Sequence, residues 1–482
     1  MELAKTRTGL VVASSLHLLL TSGWRKAKAP SMALRNPRTI LSTLAALMSV
    51  LPLVGAQESH QGDAEAFPII QRNTITGEWA GARPQCCDHG VELFAGYTAE
   101  VWGNTTGGIK TGSVYTGLLD FGVNLDFEKL SGWQGATMST TWQWLSGRDA
   151  SQDLVGNFLT VSNIAGFNTL CMTDLWAQQE VMNGQLSIRA GQITADSEFL
   201  ISDYGSLFIN ATFGFPPFAY MNLPNGGPVF PMGAPGARVA WNPIDWFTFL
   251  SAGFQGNVFA PDVNRHGFRW RLDAETGFTF MNEAQFRWGQ AEESKILPGT
   301  IKIGAWFQTG QNADALEETT SSGNSGYYLV LDQMLFRESS DGTLFPSICC
   351  KPTDCTPCAN ETDKNDQGIG CFARIGCTPP DRNAVDFYFD AGLTYKGLIP
   401  TRDNDTVGLA CGLAKTTPQW ERPSPDEGLP ANGAEMVLEA TYQVELAPCI
   451  TIQPDIQYII NPGAQSSIGN ALVIGCRASL LF

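Results

Sequence analysis

Apolar and polar side chains alternate along most of the chain with a period of two, the spacing of strands whose two faces meet different surroundings. From Val91 to Trp102 the odd positions Val91, Leu93, Ala95, Tyr97, Ala99 and Val101 are apolar, and the even positions include Glu92, Thr98 and Glu100. Tyr115–Phe127 repeats the pattern, with Tyr115, Leu119, Phe121, Val123, Leu125 and Phe127 on one face and Asp120, Asn124 and Asp126 on the other. Val385–Tyr395, Met436–Leu446 and Ile450–Asn461 alternate likewise. The last segment, Ala471–Phe482, puts Leu472, Ile474, Cys476, Ala478, Leu480 and Phe482 on one face and stops on the aromatic.

Phe268–Phe280 carries the sharpest contrast. Phe268, Trp270, Leu272, Ala274, Phe278 and Phe280 alternate with Arg269, Arg271, Asp273, Glu275 and Thr279, which predicts a strand. Asn282 is then expected to turn the chain into a second strand, where Ala284, Phe286 and Trp288 oppose Glu283, Gln285 and Arg287. The charged row Arg269, Arg271, Asp273 and Glu275 is expected to line a wet lumen, with Arg238, Arg287, Asp120 and Asp126 on similar wet faces. Connections are short and punctuated by Gly and Pro, except 308–326 and 337–384, which read as long outer loops.

Alternation alone fits either a soluble β-sandwich or a barrel in lipid. No run in the chain after residue 56 has the roughly 18 apolar residues a membrane helix needs, but barrel strands need only about 10 alternating ones. Several aromatics of the apolar face sit near segment ends, as do Tyr115, Phe127, Trp288, Phe307 and Tyr395, where interfacial girdles would lie. An alternating strand at the terminus suits a sheet that must close, because unpaired edge groups find no water in a bilayer. The expected fold is therefore all-β: a transmembrane antiparallel β-barrel.

From Met32 the chain reads as a secretory signal, with Arg35 and Arg38 before an apolar Ile40–Leu53 and small residues at Val54-Gly55-Ala56. Residues 1–31 are read as a mis-assigned start. This makes 1–56 a targeting segment, 57–71 an N-terminal periplasmic segment and 72–482 the barrel. Removing 1–56 takes away seven basic residues and one acidic, and the formal charge falls from −17 to −23. So acidic a chain lacks the clustered cations that nucleic acid requires. Of the twelve cysteines, Cys349, Cys350, Cys355, Cys358, Cys371 and Cys377 crowd together. In an exported chain they predict a disulfide-stapled extracellular loop. Zinc is the alternative, but Cys355-x-x-Cys358 has no matching second half and no nearby histidine.

The chain resembles the carbohydrate-selective porins of the OprB type. Glu439-Ala-Thr-Tyr442-Gln-Val-Glu-Leu446-Ala-Pro448 running into Ile452-Gln453-Pro454-Asp455-Ile-Gln457-Tyr458 and Asn461-Pro462-Gly463 carries the match. Trp79-Ala-Gly81-Ala-Arg83, Leu125-Asp126-Phe-Glu-Lys129, Gly214-Phe-Pro-Pro217 and Tyr327-Tyr-Leu-Val-Leu-Asp332 support it. The resemblance implies about 16 strands, short periplasmic turns, long extracellular loops, sugars as permeants, lipid of the outer membrane as surroundings and no cofactor. The cysteine-rich insert departs from the family pattern.

Two rivals stay open at this point. A secreted carbohydrate-active hydrolase would need two carboxylates set in a cleft, but no Gly-x-Ser-x-Gly or His-Glu-x-x-His motif is present. A plugged structural or adhesive barrel could hold Gln57–Gln71 in its lumen. Amino-terminal sequencing of the exported protein should begin near Gln57; a terminus retaining Ile40–Leu53 would overturn the targeting assignment.

Overall fold

The computed structural model describes residues 72–271, 276–291, 294–313, 320–338, 367–417 and 433–482, all within one compact unit, Phe67–Phe482. The targeting segment, Gln57–Gln71, and Cys349, Cys350, Cys355 and Cys358 lie outside these residues.

The first eight strands are β1 (Val91–Gly108), β2 (Gly112–Asp126), β3 (Ala136–Gly147), β4 (Thr169–Val181), β5 (Leu186–Ile193), β6 (Ala234–Ile244), β7 (Phe247–Gln255) and β8 (Phe278–Trp288). The second eight are β9 (Gly299–Ala313), β10 (Thr320–Arg337), β11 (Gly368–Cys377), β12 (Val385–Lys396), β13 (Thr406–Thr416), β14 (Ala434–Ala447), β15 (Ile450–Ile460) and β16 (Gly469–Leu481). Each pairs antiparallel with its neighbours, and β1 pairs with β16 to close the barrel. The Phe482 N–H extends that seam by donating to the Ala95 carbonyl at 2.9 Å. No sheet edge is left along the seam, which is the condition for a sheet in lipid.

Alternation reports the two faces correctly on most of the strands it identified; Val385, past a bulge at the start of β12, is instead buried on the inner side. Val101, Tyr115, Ile456 and Ile474 are exposed on the outer face, whereas Glu100, Glu439, Asp455 and Gln457 point inward and are buried. Exposed aromatics gather toward both ends, with Tyr115, Trp144 and Tyr458 at one and Trp241 and Trp246 at the other.

The two ends differ. Connections 148–168, 194–233 and 256–277 all leave one end, and turns 182–185, 245–246 and 448–449 leave the other, together with the start of β1 and with Phe482. Short turns mark the periplasmic side of such barrels and long connections the outside.

Four expectations need correction. Phe268–Arg271 forms no strand: it lies in the β7–β8 connection, and Asp273 and Glu275 lie outside the described residues. Asn282 makes no turn, because β8 runs unbroken through it and pairs with both β7 and β9. Much of 308–326 is paired strand, since β9 and β10 pair from Gln308↔Asn324 to Ala313↔Thr320 across a register shift between Ser322 and Asn324. Polar Gln, Asn and Ser read as loop, yet the hydrogen bonds of the ladder join backbones and need no apolar face. The cysteine-rich segment is also narrower than expected. β11 occupies Gly368–Cys377, and Cys371 and Cys377 carry free thiols on it. The remaining connection leaves β10 at Arg337, at the periplasmic end and not the extracellular one.

The lumen is partly filled. Connections 148–168 and 194–233 fold inward and bury Leu154, Leu159, Phe199, Phe208, Phe213 and Phe218. Inward aromatics receive them: Phe372 of β11 packs 5.7 Å from Phe208 and 6.1 Å from Phe213, and Tyr388 of β12 stacks 5.9 Å from Phe218. An irregular backbone buried this way must find hydrogen-bond partners in the wall. Arg374, 1% exposed along its side chain, donates to the carbonyls of Leu200 (3.0 Å), Thr212 (2.9 Å) and Gly214 (2.8 Å) and pairs with Asp390 at 2.5 Å. Arg374→Met should cost about 3–5 kcal/mol, because it leaves Asp390 buried and unpaired. The urea midpoint in detergent reads this loss, and Arg374→Met with Asp390→Leu should recover most of it; an unchanged midpoint in the single variant would refute the anchoring role.

Candidate pore and its lining

The infolded connections lean on one half of the wall. Glu283 of β8 accepts from the Leu200 N–H at 3.0 Å, and Lys302 of β9 donates to the Ile201 carbonyl at 2.7 Å. Asp332 of β10 accepts from Ser202 Oγ at 2.6 Å and the Tyr204 N–H at 3.3 Å. On β14, Glu439 holds the N–H groups of Ile209 (2.6 Å) and Asn210 (3.0 Å), and Glu435 holds that of Leu159 (2.6 Å). Gln457 of β15 donates to the Val161 carbonyl at 2.9 Å. Along β8–β15 the inward residues are accordingly buried, and the wet face expected there is occupied by chain.

The inward residues of β1–β5 behave differently. Glu92, Phe94, Thr98, Asp120, Asn124, Thr141, Gln143, Asp174, Trp176, Gln178 and Arg189 are half-buried, as are Arg477 and Ser479 of β16. Only partly covered by the infolded segments, they border the part of the lumen through which a passage along this wall would run.

Two charged groups face that passage. The basic one begins with Arg189 and Arg238, which sit opposite each other on β5 and β6. Both pair with Glu198 of the infolded segment, at 2.9 and 2.5 Å. Gln178 accepts from both, at 3.0 and 3.1 Å, and Arg238 also donates to the Ser187 hydroxyl. The Arg189 guanidinium lies over Trp176 at 3.8 Å from the ring centre, a geometry that holds an arginine plane rigid.

The acidic group surrounds a cavity of about 190 Å³ lined by Gln143, Thr173, Asp174, Thr194, Asp196 and Phe230. Gln143 donates to Asp120 at 2.7 Å and accepts from Thr173 Oγ1 at 2.9 Å. Asp174 accepts from the Thr194 N–H at 3.2 Å, and Asp196 from that of Phe230 at 2.9 Å. Burial pushes the Asp196 carboxyl above the ordinary aspartate range, against the lowering effect of the Phe230 N–H. The wall thus offers fixed donors, acceptors and an aromatic plate, all held in place by neighbours.

The residues expected from sequence divide four ways. Asp120 and Arg238 stand in these two groups. Arg287 faces inward near the periplasmic end, donating to Thr248 Oγ1 at 2.8 Å and Gln285 Oε1 at 3.0 Å. Asp126 instead caps α1 (Phe127–Ser131), accepting from the N–H groups of Glu128 (2.9 Å) and Lys129 (3.4 Å). Arg269 and Arg271 are exposed in the β7–β8 connection, away from both groups. Arg189 was legible, because Ser187 and Arg189 alternate with Ile188 and Ala190; Glu198 and Asp196, which enter on an irregular segment, had no periodic signal.

The model of the OprB family, carbohydrate-selective porins, matches residues 110–482. Porin B of Pseudomonas aeruginosa is 23% identical over 459 residues, covering 87% of this chain and 93% of the relative. A putative porin, QuiX, of Acinetobacter baylyi is 23% identical over 473 residues, covering 87% and 95%. A structure of OprB from Pseudomonas putida at high pH superposes with a TM-score of 0.72 at 23% identity, over 87% of this chain and 100% of that one.

Glu198→Gln removes the negative charge shared by Arg189 and Arg238. The reversal potential in a KCl gradient should move toward anions in this variant; an unmoved potential would show that the arginine group lies off the ion path.

Proposed function

The chain belongs to the OprB family of carbohydrate-selective porins, outer-membrane channels and not enzymes, and on that premise we propose that sugars cross along the β1–β5 wall between the arginine group and the acidic group. The half-buried Trp176–Arg189 stack, with Gln178 bonded to it and Gln143 and Asp120 farther toward the outer end of the same wall, supports this reading most directly. A sugar is neutral and covered in hydroxyls, with apolar C–H faces on its ring. It needs paired donors and acceptors and a flat apolar surface, all already in place, to leave water at low cost. Arg189 supplies planar donors, Asp120 and Asp174 supply acceptors, and Trp176 supplies the plate. Arg238 acts through Glu198 and Gln178 to hold Arg189 in line, and Arg287 borders the periplasmic exit.

On this reading segments 148–168 and 194–233 narrow the lumen without plugging it, which the half-buried side chains on the inner face of β1–β5 support. Removal of residues 1–56 on export, and pairing among Cys349, Cys350, Cys355 and Cys358, belong to the same proposal.

Proteoliposomes carrying the protein should swell faster in monosaccharides and short oligosaccharides than in charged solutes of equal size. The sugar concentration that half-blocks the ion current should rise about fivefold in Trp176→Ala, the equivalent of ~1 kcal/mol of lost ring contact. Swelling indifferent to solute chemistry, or an unchanged half-block, would sink the assignment.

A further inference from the structure

The β7–β8 connection holds the basic and aromatic residues that the pore leaves unused. It forms a strap across the outer face of β3–β5. Pairing between β4 and β5 reaches only Leu175↔Gln192, so Thr169–Asp174 of β4 face an open edge near the outer end. A bulge at Thr173 lies in the same stretch, between Trp142↔Met172 and Thr141↔Asp174. The strap covers that edge. The Met172 N–H donates to the His266 carbonyl at 3.1 Å, Thr169 Oγ1 to the Arg265 carbonyl at 2.7 Å, and Arg265 to the Asn168 carbonyl at 2.7 Å. Gly267 allows the approach: its φ is +78°, and a Cβ there would lie 2.3 Å from the Met172 carbonyl oxygen. Phe268 packs 5.6 Å from the outward Trp142, and Trp270 donates to Gln192 at 2.5 Å.

One side of the strap is thus fastened to the wall, and the other is bare. Phe268 and Trp270 remain 57% and 53% exposed on the lipid side. Around them Arg265, His266 and Arg269 are exposed, with Arg269 held over Phe259 at 5.0 Å; among the described residues of the connection, Asp262 is the acid beside them. In a chain of net charge −17, this is a local reversal of sign. It lies at the outer end, where aromatic side chains meet lipid head groups.

We propose that the strap docks a phosphorylated glycolipid of the outer leaflet, its phosphates on Arg265 and Arg269 and its acyl chains against Phe268 and Trp270. The geometry answers both parts of such a molecule: guanidinium groups suit phosphate oxygens, and the two rings beside them offer apolar surface to the chains. The same contact would cover a stretch where the sheet is sealed by a strap and not by a strand.

The full porin in mild detergent can be titrated with diphosphorylated lipid A, with lipid A stripped of both phosphates, and with inorganic phosphate, reading the tryptophan fluorescence change and the lipid-bound mass in native mass spectrometry. Diphosphorylated lipid A should bind and the stripped form should bind at least tenfold more weakly. Arg265→Gln with Arg269→Gln should weaken binding about 30-fold, ~1 kcal/mol for each arginine lost, and leave sugar-driven swelling unchanged. Equal binding of the two lipid forms overturns the proposal, and that comparison needs only the wild-type protein if the variant fails to assemble. Displacement by millimolar inorganic phosphate would reassign the strap to free anions. Slowed swelling with undiminished lipid binding would return the arginines to the pore mouth.

Discussion

A backbone that leaves the sheet and enters the barrel loses both its strand partners and its water, and every buried N–H and C=O then needs a substitute. Orphaning one costs about 1–3 kcal/mol, so a filled lumen requires a wall bearing acceptors and donors at matching heights. Glu283, Asp332, Glu435 and Glu439 meet N–H groups, and Lys302, Arg374 and Gln457 meet carbonyls or carboxylates. The route of segments 148–168 and 194–233, and hence the position of the passage, follows from where those side chains stand.

This arrangement divides the inner wall by task. On β8–β15 charges are spent on holding chain in place, and the buried Arg374–Asp390 pair is the extreme case. On β1–β5 side chains of the same kinds stay half-exposed, and they can meet a solute. Residue type does not separate the two groups, because Glu435 and Asp120 both alternate with apolar neighbours and both point inward.

That is why the fold was more legible than the site. Period two depends on neighbours in sequence, and it identified β1, β2, β12 and β14–β16 together with their faces. It misled at Phe268–Arg271, where a strap fastened on one side and bare on the other imitates a strand. It was silent on the β9–β10 hairpin beyond Gln308, where polar residues and glycine follow one another without alternation. At β11, Ile369, Cys371, Ala373 and Ile375 alternate with Phe372 and Arg374, but the cysteines drew attention to disulfides. The pore is set by contacts across the lumen, such as Arg238 with Glu198, and no local pattern encodes these. The six phenylalanines Phe199, Phe208, Phe213, Phe215, Phe218 and Phe230, too apolar for a connection in water, were the available sign that 194–233 turns inward.

The anchors of the infolded segments also fix an order of events. Ile209 waits for Glu439, 230 residues further along the chain, and Phe158 for Glu435, 277 residues further. Contacts that distant form late, and these two carboxylates stand on β14, beside the strands that complete the ring. Until β14 has joined, Leu200 and Tyr204 can already meet Glu283 and Asp332, but Phe158, Leu159, Ile209 and Asn210 still lack their acceptors. The two ends of segment 158–210 are therefore fastened last, as the ring nears closure.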